Sequence, residues 1–176
     1  MLSQIFLFFL SLAIIQNPIH QKKKSCVNPW NLKAKIVESG VKLVEVMSEE
    51  SSKYTASGVL VNIQEIKILS KSNRVEMKDG YMPYVVFEVS NLPIHLTQID
   101  GFIIKTVHPT MRSKKGVFNS HNADTTITKE SGATIAYLED SFVFQDKFAF
   151  EKLPGNWSFQ LYYKECLLAE YKFTTY

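Results

Sequence analysis

The sequence predicts an all-β fold: an immunoglobulin-like antiparallel β-sandwich preceded by an apolar N-terminal leader helix. Three observations carry this. After the leader, no segment sustains a long helical period of apolar residues. Short strand-like runs recur between turn residues, the pattern of sandwiches and barrels. The last of these runs alternates cleanly. Trp157, Phe159, Leu161 and Tyr163 interleave with Ser158, Gln160, Tyr162 and Lys164, and then Leu167, Ala169, Tyr171 and Phe173 interleave with Leu168, Glu170, Lys172 and Thr174. Two period-two runs around a short polar turn form a β-hairpin whose Trp-and-Phe face lies on the core.

The earlier elements follow in chain order. Residues 34–47 read as a strand with Gly40 as its bulge or bend. Residues 48–57 are polar and read as a loop, and 59–69 as a long strand. In 81–89, Tyr81, Pro83, Val85, Phe87 and Val89 share one face. Pro83 lacks an N–H, so this strand starts at an edge or pairs loosely at first. Residues 102–107 form a short strand that His108-Pro109 ends, because the residue before proline is held extended. Residues 110–122 read as a polar, basic loop, with further strands at 125–128, 133–138 and 142–150. Pro154-Gly155 marks the turn into the final hairpin.

A chain of 176 residues fits one domain plus a short leader. A chain this long, with 45% hydrophobic residues, can bury a full core without needing disulfides or metals to hold it. Its twelve Phe, eight Tyr and two Trp suit half-buried strands. Net charge is only +3, and only Arg74 and Arg112 are arginines. Nucleic-acid binders gather Arg and Lys on one face. Here Lys is dispersed among Glu, so nucleic acid is not an expected partner.

Residues 1–21 contain no Asp, Glu, Lys or Arg and enclose the apolar run 5–15. That length matches the core of a secretory signal and falls short of the ~20 residues of a membrane span. Asn17-Pro18 then interrupts the helix, and Lys22, Lys23 and Lys24 follow. We therefore expect residues 1–25 to be a cleaved signal peptide or an uncleaved membrane anchor, and 26–176 to be one β-sandwich domain. The remaining alternative is an apolar strand or helix of the fold itself. The expected location is extracytoplasmic, periplasmic or secreted, or at the membrane through the N-terminal segment alone. Cys26 and Cys166 have no CxxC spacing. In an exported chain they form either one disulfide, tying the mature N-terminus to the final hairpin, or two separate thiols.

Several of these stretches also resemble a known family. Residues 105–111 (Lys-Thr-Val-His-Pro-Thr-Met) with Lys115-Gly116, residues 144–150, Pro154 to Gln160 (Pro-Gly-Asn-Trp-Ser-Phe-Gln), and 167–173 are similar to the bacterial domain-of-unknown-function family 3859. Residues 36–41 resemble that family's opening strand. The resemblance covers roughly residues 34–174 and matches poorly over 48–80. It implies a compact β-rich domain in bacterial proteins that often carry signal sequences, and it implies no activity.

Chemistry-bearing motifs are sparse. The seven glycines are spread out, so no phosphate-cradling loop is formed. His20, His95, His108 and His121 show no metal-ligand spacing, although His108 and His121 flank one segment with Asp124 nearby. Glu38, Glu88, Glu139 and Asp140 lie in or near strands, but paired carboxylates need a defined separation across a cleft. No cofactor, metal site or catalytic residue is expected. The densest basic run, Met111-Arg112-Ser113-Lys114-Lys115-Gly116, makes His108, Met111, Arg112, Lys114 and Lys115 a candidate partner-contact loop. The expected function is a non-catalytic binding module whose partner is a protein or another envelope component. The alternatives are a membrane-tethered structural protein of the envelope and a small hydrolase, which would require a deep pocket holding polar groups of perturbed pKa.

Overall fold

A computed structural model describes residues 26–52, 55, 57, 59–113 and 116–176. The leader over 1–25, save its boundary with Cys26, and the lysines Lys114 and Lys115 lie outside the described residues. Of the described residues, 68% are in strands and 4% in helix. Among the described residues, nine strands run in order: β1 (Lys33–Ser51), β2 (Val59–Ser70), β3 (Arg74–Val75), β4 (Tyr81–Ser90), β5 (Gln98–Ser113), β6 (Gly116–Thr128), β7 (Ile135–Ser141), β8 (Gly155–Tyr163) and β9 (Cys166–Thr175). A short 3-10 turn, Asp146–Glu151, precedes β8.

The strands form two sheets, ordered β2-β1-β4-β7 and β3-β9-β8-β5-β6. All ladders are antiparallel except the two-residue pairing of β3 with β9. Val41, Val85, Phe87 and Val89 of the first sheet meet Phe102, Met111, Phe159, Leu161 and Phe173 of the second in one core. Trp157 is at its centre, 2% exposed. Its ring lies 5.1 Å from Phe142, 5.7 Å edge-on from Phe144 and 5.8 Å from Phe173. Aromatic pairs at such distances add about 0.5–1.5 kcal/mol each beyond burial. The indole N–H donates to the Leu153 carbonyl at 3.2 Å, so its polar atom is satisfied.

The final hairpin forms where its alternation places it, with Trp157, Phe159, Leu161 and Tyr163 all buried. A register shift after Leu161, which pairs Tyr162 with Leu167, changes the phase of β9. Cys166 points inward as a result, and Leu167 is 51% exposed rather than in the core.

Proline explains two departures from the expected strands. β4 lies inside its sheet, between β1 and β7. Pro83 is tolerated because β7 pairing begins only at Tyr84. Its carbonyl accepts the Phe142 N–H at 3.1 Å. His108-Pro109 does not end β5. Between the pairs Val107↔Ser120 and Met111↔Phe118 the strand bulges, and the bulge absorbs the residue that cannot donate. β5 then continues to Ser113, and the predicted loop over 110–122 is instead the far half of a β5–β6 hairpin. The strand predicted at 142–150 is an extended link followed by the 3-10 turn.

Gly40 is not itself a bulge of β1: the extra residues of that strand fall between Ile36 and Glu38 against β4 and between Val46 and Ser48 against β2. Its requirement is close approach: a Cβ at Gly40 would run into the backbone carbonyl oxygen of Ser70.

Candidate binding cleft

The two sheets each leave a free edge on the same side, β7 from one and β6 from the other. The seam between them is where polar side chains gather. The distal half of the β1–β2 hairpin reaches this side and is tied to the 3-10 turn by an ion pair between Glu49 and Lys147. Two hollows of about 310 and 250 Å³ share Thr55, Leu60, Ser141 and Phe142 and form one cleft.

The larger hollow is walled by Leu60 of β2, Ile104 and Thr106 of β5, His121, Asn122 and Ala123 of β6, and Asp140, Ser141 and Phe142 at the end of β7. Strand register explains the convergence. Thr106 and His121 are partners across β5–β6. Asp140, on the facing sheet, accepts the Thr106 hydroxyl proton at 3.2 Å and the Ser141 amide at 2.9 Å. Burial pushes the Asp140 carboxyl up to about 6, against those two hydrogen bonds and aided by the charge of Glu139.

His108 and His121 stack, with centroids 4.6 Å apart. His108 Nδ1 lies 2.7 Å from the Pro109 carbonyl, which can only accept, so Nδ1 carries the proton. His108 Nε2 is then a lone pair and takes the Nδ1–H of His121 at 3.0 Å. It follows that the Nε2 of neutral His121 is also a lone pair. That atom is buried and finds no partner among the described residues. Burial, with the neighbouring His108 adding to it, lowers His121 to about 4. Burial also lowers His108, opposed by its bond to Pro109.

The smaller hollow is closed by Glu151. Burial raises this carboxyl to about 7, opposed by hydrogen bonds from the Ser57 hydroxyl and amide.

The candidate contact residues are distributed otherwise than the sequence implied. His108 and Met111 are 4% and 0% exposed, so neither belongs to a surface loop. The bulge turns both inward. Of the described contact candidates, only Arg112 is exposed. Cys26 and Cys166 form a disulfide, with Cα atoms 4.9 Å apart. His108 and His121 do come together, but Asp124 of β6 is paired with Ile103 of β5 and is not among the cleft residues. Asp140 was visible as an acidic strand residue, whereas Glu151 and Ser57 were not singled out. Among the described residues, no cluster of three or more His, Cys, Asp or Glu could hold a metal ion.

Fold and cleft define a two-sheet β-sandwich with a side cleft at its seam. No family model and no curated protein matches the chain. Among solved structures it is similar to an immunoglobulin-like protein from Pseudomonas aeruginosa, at 18% identity and a TM-score of 0.47, covering 82% of this chain and 96% of that one. It is also similar to part of an alkylpurine DNA glycosylase from Pseudomonas fluorescens (8% identity, TM-score 0.37, 78% of this chain and 30% of that one). A third is a β-glucosidase from Listeria innocua (10% identity, TM-score 0.34, 78% and 16%). The chain therefore spans under a third of the length of either enzyme.

Proposed function

We propose that this chain is an exported, immunoglobulin-like binding module with no catalytic role, and that the cleft at the β6–β7 seam is its ligand site. The cleft is the observation that carries the reading. Apolar walls with a few converging polar groups of displaced pKa are what a small-molecule site requires. Strand order supports the finer fold reading. β1, β4 and β7 follow the order of strands A, B and E, and β6, β5, β8 and β9 the order C′, C, F and G of a variable-type domain. The β1–β2 hairpin is then an added arm after the first strand. The Cys26–Cys166 disulfide and the apolar run at 5–15 favour export. Kinship with family 3859 rests on the His-Pro element and the Gly-x-Trp-x-Phe hairpin.

Filling the cleft tests this reading. Ala123 is exposed on β6 and lines the hollow, so Ala123→Trp occupies it without touching the core. Native mass spectrometry of protein recovered from its own host should show a bound small molecule on the wild type and none on the variant. A wild type that carries no adduct, or a variant that carries the same one, overturns the cleft as the site.

A further inference from the structure

We infer that the cleft takes an apolar molecule headed by a hydrogen-bond donor, an alkylammonium in preference to a carboxylate. This rests on the reading of the cleft as a ligand site and goes on to assign its chemistry.

The His108–His121 chain is oriented from one end by the Pro109 carbonyl, so its other end, His121 Nε2, is an acceptor left unmet among the described residues. A buried acceptor without a donor is costly to the protein and available to a ligand. Asp140 adds a second acceptor in the same hollow. The Thr106 hydroxyl has already spent its proton on that carboxylate. The tautomers and the carboxylate thus present lone pairs. Among the described residues, no lysine or arginine lines the hollow. An anionic head would meet Asp140 with no lining cation among the described residues to offset the repulsion. A cationic N–H head would satisfy Asp140 and His121 together, and charge-assisted bonds of this kind are the stronger ones. The large apolar side chains of the wall, Leu60, Ile104 and Phe142, suit a hydrocarbon chain. Leu60 is 55% exposed, so it has surface left for a chain to cover.

The probes are hexylammonium and hexanoate, added to the intact disulfide-bonded protein at pH 8 and followed through the backbone amides of Ala123, Ser141 and Phe142 by heteronuclear NMR. Hexylammonium should bind at least tenfold more tightly than hexanoate. Asp140→Asn should remove about tenfold of that advantage. His121→Phe, which keeps the stacked ring and deletes the lone pair, is a second variant should the first fail to fold, and it should reduce amine affinity severalfold. Equal binding of both probes at these amides overturns the donor preference and leaves the cleft reading standing, and so does tighter binding of hexanoate. If neither probe moves these signals at millimolar concentration, the cleft reading itself fails, and the inference with it.

Discussion

Cys26–Cys166 joins residues 140 apart in sequence, so the bond closes nearly the whole described chain into a loop. In the chain-entropy view, a loop of this size removes about 5 kcal/mol of freedom from the unfolded state. The folded state has little to lose when the bond is absent. Leu32 is 3% exposed, the Trp30 ring lies 5.7 Å from Tyr163, and Asn28 exchanges two 2.9 Å hydrogen bonds with Leu32. These contacts hold the N-terminal segment in place without the sulfurs. Replacing Cys26 and Cys166 together by Ala should therefore keep the fold and cost about 3–5 kcal/mol, a large share of a typical domain's 5–15 kcal/mol. The measurement is guanidinium unfolding of both forms, read by the fluorescence of Trp30 and Trp157. The midpoint should fall and the slope should rise, because the uncrosslinked unfolded chain exposes more surface. A loss under about 1 kcal/mol with unchanged slope would refute the assignment of stability to the unfolded state.

Three further outcomes are expected. The carboxyl of Glu151 is raised from an unfolded value near 4.5 to about 7, so its neutral form stabilises the fold below pH 4.5, and that contribution is lost as pH rises through 7. His121 and His108 act oppositely below pH 6.5, so the comparison is with Glu151→Gln: the variant should gain up to about 3 kcal/mol on the wild type between pH 5 and 8, and parallel stability curves would refute the burial of this acid. Gly40→Ala should cost several kcal/mol in thermal or chemical unfolding, because its methyl meets the Ser70 carbonyl rather than a side chain that could move aside; a neutral effect would exclude that close approach. Mass spectrometry of the chain from its native host should give a mature N-terminus near Lys22, whereas an intact Met1 in the membrane fraction would support tethering.

The β8–β9 hairpin was legible because period two reports strand and buried face at once: Trp157, Phe159, Leu161 and Tyr163 needed no other information. The β5–β6 hairpin was not. Pro109 and the polar run after it look like a loop, yet a bulge absorbs the proline, and the edge strand β6 needs few buried residues; only Phe118 and Ile127 pack on the core. Met111 was the one readable sign, an apolar residue amid basic ones that the core claims. The cleft left no trace in spacing. Leu60, Thr106, His121 and Asp140 come from four strands, and only the meeting of two sheet edges brings them together. The disulfide was legible as one of two possibilities, since sequence cannot state how near two sulfurs come.

The ends of the described chain meet the same strand. Cys26 is bonded to the first residue of β9, and Tyr176 follows its last, donating its N–H to Val75 beside it. Tension applied between residues 26 and 176 would run through the sulfur–sulfur link and then along ten residues of β9, roughly 35 Å of continuous covalent chain. The remaining eight strands would sit outside the force path. Oxidised, the molecule is a nearly inextensible link that bears a pull without unravelling; reduced, the same pull would have to be resisted by the sandwich.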